Sequence, residues 1–257
     1  MTKPLSWVAE APLVIGHRGA SALAPENTHS AFRLALESGA DGLEFDVKLT
    51  ADRAAVVHHD RTLDRTTNGS GLLSRHTLAS LEALDAGSSF SGFFRGETIP
   101  TLESVFEAYG GRTLLNVELT NYGSILDDLV AVVTGLVSAH ALEDTVLFSS
   151  FNPLALIQAG RLSPDVRRAL LLHSRSPRIC QSLAVKALRV DDIHPAAASI
   201  NEGFVNHQRS SGRLVRAWTV NDPGEMIAFF RMGVHAVITD DPGTASSAKL
   251  QFLKEHR

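Results

Sequence analysis

Short apolar runs alternate with longer amphipathic stretches along the chain, and this alternation constrains the fold more than any other feature. The first run, residues 13–15, stops at Gly16-His17-Arg18-Gly19. Residues 28–38 then read as a helix, with Thr28 as N-cap and Gly39 as stop. Residues 43–49 set Leu43, Phe45, Val47 and Leu49 against Glu44, Asp46 and Lys48, which is the period of a strand. A short strand is expected at 54–57. After residue 100, helices are expected at 102–109, 124–140, 153–161, 177–188, 205–211 and 223–232. Strands are expected between them at 113–119, 146–149, 168–172, 196–200, 214–220 and 236–238.

Strands that alternate with helices pair in parallel through right-handed crossovers. Roughly eight such units in 257 residues favour a (β/α)8 TIM barrel, with an open doubly wound sheet as the main alternative. Residues 60–100 break the pattern, being rich in Gly and Ser with scattered Phe90, Phe93 and Phe94. An unstructured loop of that length is unusual unless it serves a function. We read 60–100 as a small insertion after the second βα unit, carrying short helices, within one catalytic barrel domain of residues 1–257.

Composition narrows the partners. The formal net charge of −4 gives no electrostatic footprint for nucleic acid and no basic face for an anionic lipid surface. Uninterrupted apolar runs are too short to span a bilayer, so no stable membrane association is expected. Cys180 is the lone cysteine and excludes an intrachain disulfide. Residues 1–12 lack a continuous apolar core of signal-peptide type. A cytoplasmic location is the default expectation, and oligomeric state is left open.

The polar residues gather at the C-terminal ends of the expected strands, the edge where barrels build active sites. His17 can carry a proton near neutral pH, and Arg18 can clamp a phosphate through its planar fork. A surface turn would look the same if the pair stood alone. Glu44 and Asp46, two apart on a strand, share one face, and Glu118 ends a later strand. Carboxylates buried side by side need a positive charge between them, and a hard divalent cation with oxygen ligands, Mg2+ or Ca2+, supplies it. His58 and His59 end a strand pointing in opposite directions, so one of them faces the site. Phe151 and Trp218 lie near strand ends, where they either line a pocket or fill the core. A P-loop and a nucleophile elbow are both absent.

Ordered motifs over nearly the whole chain carry a family resemblance. They are Gly16-His17-Arg18-Gly19, Pro25-Glu26-Asn27-Thr28, Leu43-Glu44-Phe45-Asp46-Val47, His59-Asp60, Asn116-Val117-Glu118, Ser150-Phe151-Asn152, Trp218-Thr219-Val220-Asn221-Asp222 and Ile238-Thr239-Asp240-Asp241-Pro242. With these the sequence resembles the glycerophosphodiester phosphodiesterase family. The resemblance implies a TIM barrel that hydrolyses a small-molecule glycerophosphodiester to glycerol 3-phosphate and an alcohol. It implies one divalent cation, Mg2+ or Ca2+, on Glu44, Asp46 and Glu118. His17 and His59 would be the general acid/base pair, with either histidine in either part, and Arg18, Phe151 and Trp218 would meet the substrate. Many relatives carry Lys where this chain has Thr120, and His173 is a candidate to supply the missing positive charge. A phospholipase D-like or sphingomyelinase-like lyase and a non-catalytic phosphate-ester binding protein are the rival readings. A sugar-phosphate isomerase fits less well, because it needs no cluster of three carboxylates.

Overall fold

A computed structural model describes residues 5–121, 127–174 and 188–256. Eight parallel strands close a barrel: β1 (Leu13–His17), β2 (Gly42–Leu49), β4 (Leu114–Leu119), β5 (Val146–Ser150), β6 (Arg167–Leu172), β7 (Asp192–Pro195), β8 (Leu214–Ala217) and β9 (Ala236–Thr239). Closure is explicit, because β1 pairs with both β2 and β9. An open doubly wound sheet is thereby excluded. The short β3 (Ala55–Val57) runs antiparallel on the upper end of β2, with Val57 opposite Val47.

The alternation in β2 divides as its period requires. Leu43, Phe45 and Val47 are fully buried beneath the helical layer, where Phe45 packs 5.6 Å from Phe32 of α1 (His29–Glu37). Glu44 and Asp46 therefore project to the opposite face.

Several helices begin directly above a barrel strand with the same device. Asn152, Asp222 and Asp241 cap helices that open with Pro153, Pro223 and Pro242. The cap side chain accepts an otherwise unpaired backbone N–H, and proline needs no such N–H at the first helical position. The segment 60–100 leaves β3 and returns into α3 (Leu102–Tyr109), so it lies inside the second strand–helix connection, ahead of its helix. It carries α2 (Leu78–Glu82) and two 3-10 turns, and Leu63, Leu73, Leu81 and Ile99 give it an apolar cluster with Val56.

Three expectations change. The seventh barrel strand is Asp192–Pro195, whereas residues 197–199 form a 3-10 turn. Asp192 and His194 disguise that strand, since charged and polar residues do not read as a barrel interior. Strand β8 ends at Ala217, before Trp218. A last helix, Pro242–Glu255, is present where none was expected, because few apolar residues mark its face. Most of the helix expected at 177–188, with Cys180, lies outside the described residues. Among the described residues, no helix is long and apolar enough to cross a membrane.

The N-terminal end of the barrel is closed by Trp7, which packs with Leu13, Ile15, Leu114, Leu147 and Ala236. Arg216 is fully buried, with its guanidinium 4.9 Å from the centre of the Trp7 ring system. It donates to the Trp7 carbonyl at 2.7 Å and to Asp192 at 3.1 Å. Arg167 holds the second oxygen of Asp192 at 2.8 Å. Burial opposes the charge of Asp192, yet Arg216 and Arg167 outweigh it and hold the carboxyl below its usual range. Removing one partner of such a buried pair strands the other. Asp192→Ala should therefore cost about 3–5 kcal/mol of unfolding free energy in urea titration.

Burial, and then Arg216, lowers His194 to about 3. Between that value and the ordinary histidine range the unfolded chain binds more protons, so stability rises with pH there. The urea midpoint should fall as pH drops from about 6.5 towards 4, and His194→Asn should flatten that slope.

Candidate active site

The turn after β1 sets the first charged groups. Gly19 has φ of +85°, and a Cβ there would lie 2.6 Å from the Ala31 carbonyl carbon, so only glycine lets the loop sit this close to α1. Arg18, itself left-handed with φ of +54°, folds back over β2. Its backbone N–H donates to Glu44 at 3.1 Å, and its guanidinium lies 3.4 Å from Asp46 and 2.9 Å from Glu26. Asn27 donates to Asp46 at 3.0 Å.

Glu44 and Asp46 are 3% and 1% exposed, and Glu118 stands beside them on β4. One oxygen from each lies within 4.8 Å of the others. Burial, then the neighbouring Asp46 and Glu118, pushes the Glu44 carboxyl well above its usual range, although Arg18 pulls it back. Burial works against the Arg18 charge as well, but Asp46, Glu26 and Glu44 together raise it. Three crowded carboxylates with oxygen donors alone suit a hard divalent cation.

Both imidazoles are anchored on carboxylates. Nδ1 of His17 is 2.6 Å from Asp240, and Nδ1 of His59 is 2.6 Å from Asp60. Asp240 is partly buried, yet bonds from His17, Asn221 and Ser21 hold it at about 2. Arg65 heads the groups that hold Asp60 below the usual carboxylate range. An ionised carboxylate only accepts, so Nδ1 of each ring carries the hydrogen and Nε2 is left for chemistry. Arg65 also grips both oxygens of Glu26 at 2.7 Å, and Glu26 in turn accepts from Arg18. Burial would raise Glu26, but Arg65 and Arg18 bring it down to about 2. The chain His59–Asp60–Arg65–Glu26–Arg18 thus ties the segment 60–100 to the barrel. His58 is buried, with Nε2 3.0 Å from the Thr62 carbonyl, and takes a structural place.

These groups open on a cavity of about 510 Å3. His17, Arg18, Glu44, His59 and Glu118 line one side. Phe151, His173 and Trp218 line the other, with Phe151 stacked on His173 at 4.2 Å and Trp218 edge-on to Phe151 at 5.5 Å. Phe151 and Trp218 are thus cavity walls. A second cavity of about 470 Å3 shares His17 and Arg18 and extends towards Ser21, Asn221 and Asp241. At Thr120 the ammonium comes from β2, where Lys48 Nζ donates to Thr120 Oγ1 at 2.8 Å. Asp240, Arg65, Glu26 and Lys48 carry no role that the sequence alone reveals. Asp60 and Asp240 had a signal, since each closes a strand-end motif, but acidic strand ends are common and the partner histidine of Asp240 is 223 residues away.

Comparison with known proteins gives a consistent answer. The model of the glycerophosphoryl diester phosphodiesterase family matches residues 17–244. A glycerophosphodiester phosphodiesterase from Caldanaerobacter subterraneus is 38% identical, covering 90% of this chain and 95% of that protein. One from Bacillus subtilis is 31% identical, covering 90% and 84%. Among solved structures, an Oleispira antarctica phosphodiesterase in complex with the product sn-glycerol-3-phosphate superposes with a TM-score of 0.85 at 35% identity, covering 93% of this chain and 96% of that one.

The carboxylate cluster can be tested without turnover. Mg2+ or Ca2+ at about 100 times its dissociation constant should stabilise the protein by about 2.7 kcal/mol in thermal unfolding. Glu44→Gln and Asp46→Asn should remove that gain, and without added metal Glu44→Gln should unfold at or above the parent's temperature, because repulsion from Asp46 and Glu118 is relieved. A parent protein indifferent to divalent cations would exclude the site.

Proposed function

The chain belongs to the glycerophosphoryl diester phosphodiesterase family, and on that premise we propose that it hydrolyses glycerophosphodiesters to sn-glycerol 3-phosphate and an alcohol. The observation that carries this reading is the pair of aspartate-anchored imidazoles beside Arg18, Glu44 and Glu118 on one cavity. The product held by the Oleispira antarctica relative supports the same substrate class. Residues 60–100 form an insertion within the single catalytic domain and supply His59 with its anchor.

Glu44, Asp46 and Glu118 would hold one divalent cation, Mg2+ or Ca2+, which would supply Lewis-acid neutralisation of phosphate charge. Arg18 offers its planar fork to a phosphate oxygen, oriented by Glu26. Phe151 and Trp218 flank the glycerol end and keep water from that wall. One histidine takes the proton of the attacking oxygen at Nε2, and the other gives its proton to the departing alcohol. Asp240 and Asp60 keep each ring in the required tautomer and stabilise it when it is charged. Lys48 brings an ammonium to the Thr120 position from the adjacent strand.

Glycerol 3-phosphate release from a panel of glycerophosphodiesters tests the assignment. EDTA should abolish release, and Mg2+ or Ca2+ should restore it. His17→Ala and His59→Ala should each lower kcat by about a hundredfold or more with the fold intact by circular dichroism. Near-normal turnover in either variant rejects the acid/base roles.

A further inference from the structure

Arg65 is not among the residues that line either cavity at His17 and Arg18. Its guanidinium nevertheless commits all three nitrogens to two carboxylates of the site. Nε and one terminal nitrogen donate to the two oxygens of Asp60, at 2.7 and 3.0 Å. Both terminal nitrogens donate to the two oxygens of Glu26, at 2.7 Å each. Asp60 anchors Nδ1 of His59, and Glu26 accepts from the Arg18 guanidinium at 2.9 Å. The backbone around Arg65 is fixed as well. Leu63 is fully buried in the apolar cluster of the segment 60–100. Thr67 donates to the Leu63 carbonyl at 2.7 Å, and Ser89 donates to the Thr66 carbonyl at 3.0 Å. The small core of that segment thus supports one guanidinium placed between two arms of the active site.

We infer that Arg65 is a positioning residue for the reaction, and that it sets the His59 imidazole and the Arg18 guanidinium at a fixed spacing. The inference rests on the hydrolytic reading above. A proton-transfer group and a phosphate clamp act on the same ester, so their separation must match that ester. The two groups come from different parts of the chain, Arg18 from the turn after β1 and His59 from just past β3. A misplacement of about 1 Å between them can cost about a hundredfold in rate. The cation between Glu26 and Asp60 must meet four carboxylate oxygens at once. The rigid fork of arginine, with five N–H donors, does this, whereas lysine offers a compact charge on a flexible stem. The shape of the guanidinium therefore carries the role, and its charge alone does not. Both anchors stay ionised, since Glu26 is held at about 2 and Asp60 below the usual carboxylate range. The Arg65 side chain is half-exposed, so its replacement leaves no buried cavity.

The test measures kcat and KM for glycerophosphocholine, read as glycerol 3-phosphate release, and the dissociation constant of glycerol 3-phosphate by calorimetry. Asp60→Asn cuts the His59 arm and should lower kcat, with product binding near the parent's. Glu26→Gln loosens the Arg18 arm and should raise KM and weaken product binding by about threefold or more, with kcat less affected. Arg65→Gln should do both, lowering kcat and weakening product binding by about tenfold each, while the urea midpoint stays at the parent's. Added to Asp60→Asn, it should lower kcat no further. Added to Glu26→Gln, it should weaken product binding no further, because that arm is already cut. Arg65→Lys should stay closer to Arg65→Gln than to the parent. Parent-like kinetics in Arg65→Gln, full recovery in Arg65→Lys, or costs that simply add in the double variants would each overturn the positioning role while leaving the hydrolytic reading intact. A parent that hydrolyses no glycerophosphodiester would overturn both.

Discussion

The site is governed by the cost of holding three carboxylates together out of water. Glu44 and Asp46 face one another's charge on a single strand, with Glu118 alongside. Apart from any bound cation, the protein surrounds them with what positive charge it has. Arg18 folds back through a left-handed turn that Gly19 permits, and Asn27 lends an amide. Lys48 extends the same strand face, where burial depresses its ammonium and Asp46 and Glu118 support it. Such an arrangement is unfavourable for folding on its own terms, and it makes sense as a receptacle for a hard cation.

Around that receptacle the two imidazoles are held by a second set of carboxylates with the opposite behaviour. Asp240, Asp60 and Glu26 sit below their ordinary range because each has a cation or imidazole in direct contact. The acids thus divide into a buried group, in which Glu44 is pushed up by its like-charged neighbours, and anchors that stay ionised. Arg65 links the two histidine arms, since it bonds to Asp60 beside His59 and to Glu26 beside Arg18. The segment 60–100 therefore contributes through the Arg65 guanidinium as much as through Asp60, the anchor of His59.

Most of the barrel is legible in the sequence, and so is the acidic cluster, because period-two alternation in β2 forces Glu44 and Asp46 to one face. The helix at 102–109 and the Thr28 cap follow from local chemistry. What stays hidden depends on partners far along the chain. Asp192 reads as a loop residue until Arg167 and Arg216 are placed beside it, so the seventh strand is mislaid. Asp240 gains meaning only when barrel closure sets β9 against β1. Lys48 shows its face in the alternation pattern, but its bond to Thr120 depends on β2 pairing with β4.

Trp7, Arg216 and Asp192 make a second charged pole at the far end of the barrel, with Ile15, Leu147 and Ile238 among the apolar side chains of the interior. An insulated interior of this kind separates two properties that enzymes often trade against each other. An engineer could rework the lower pole for heat tolerance, replacing its ionic lock by close-packed hydrocarbon, and leave the reacting end electrically undisturbed.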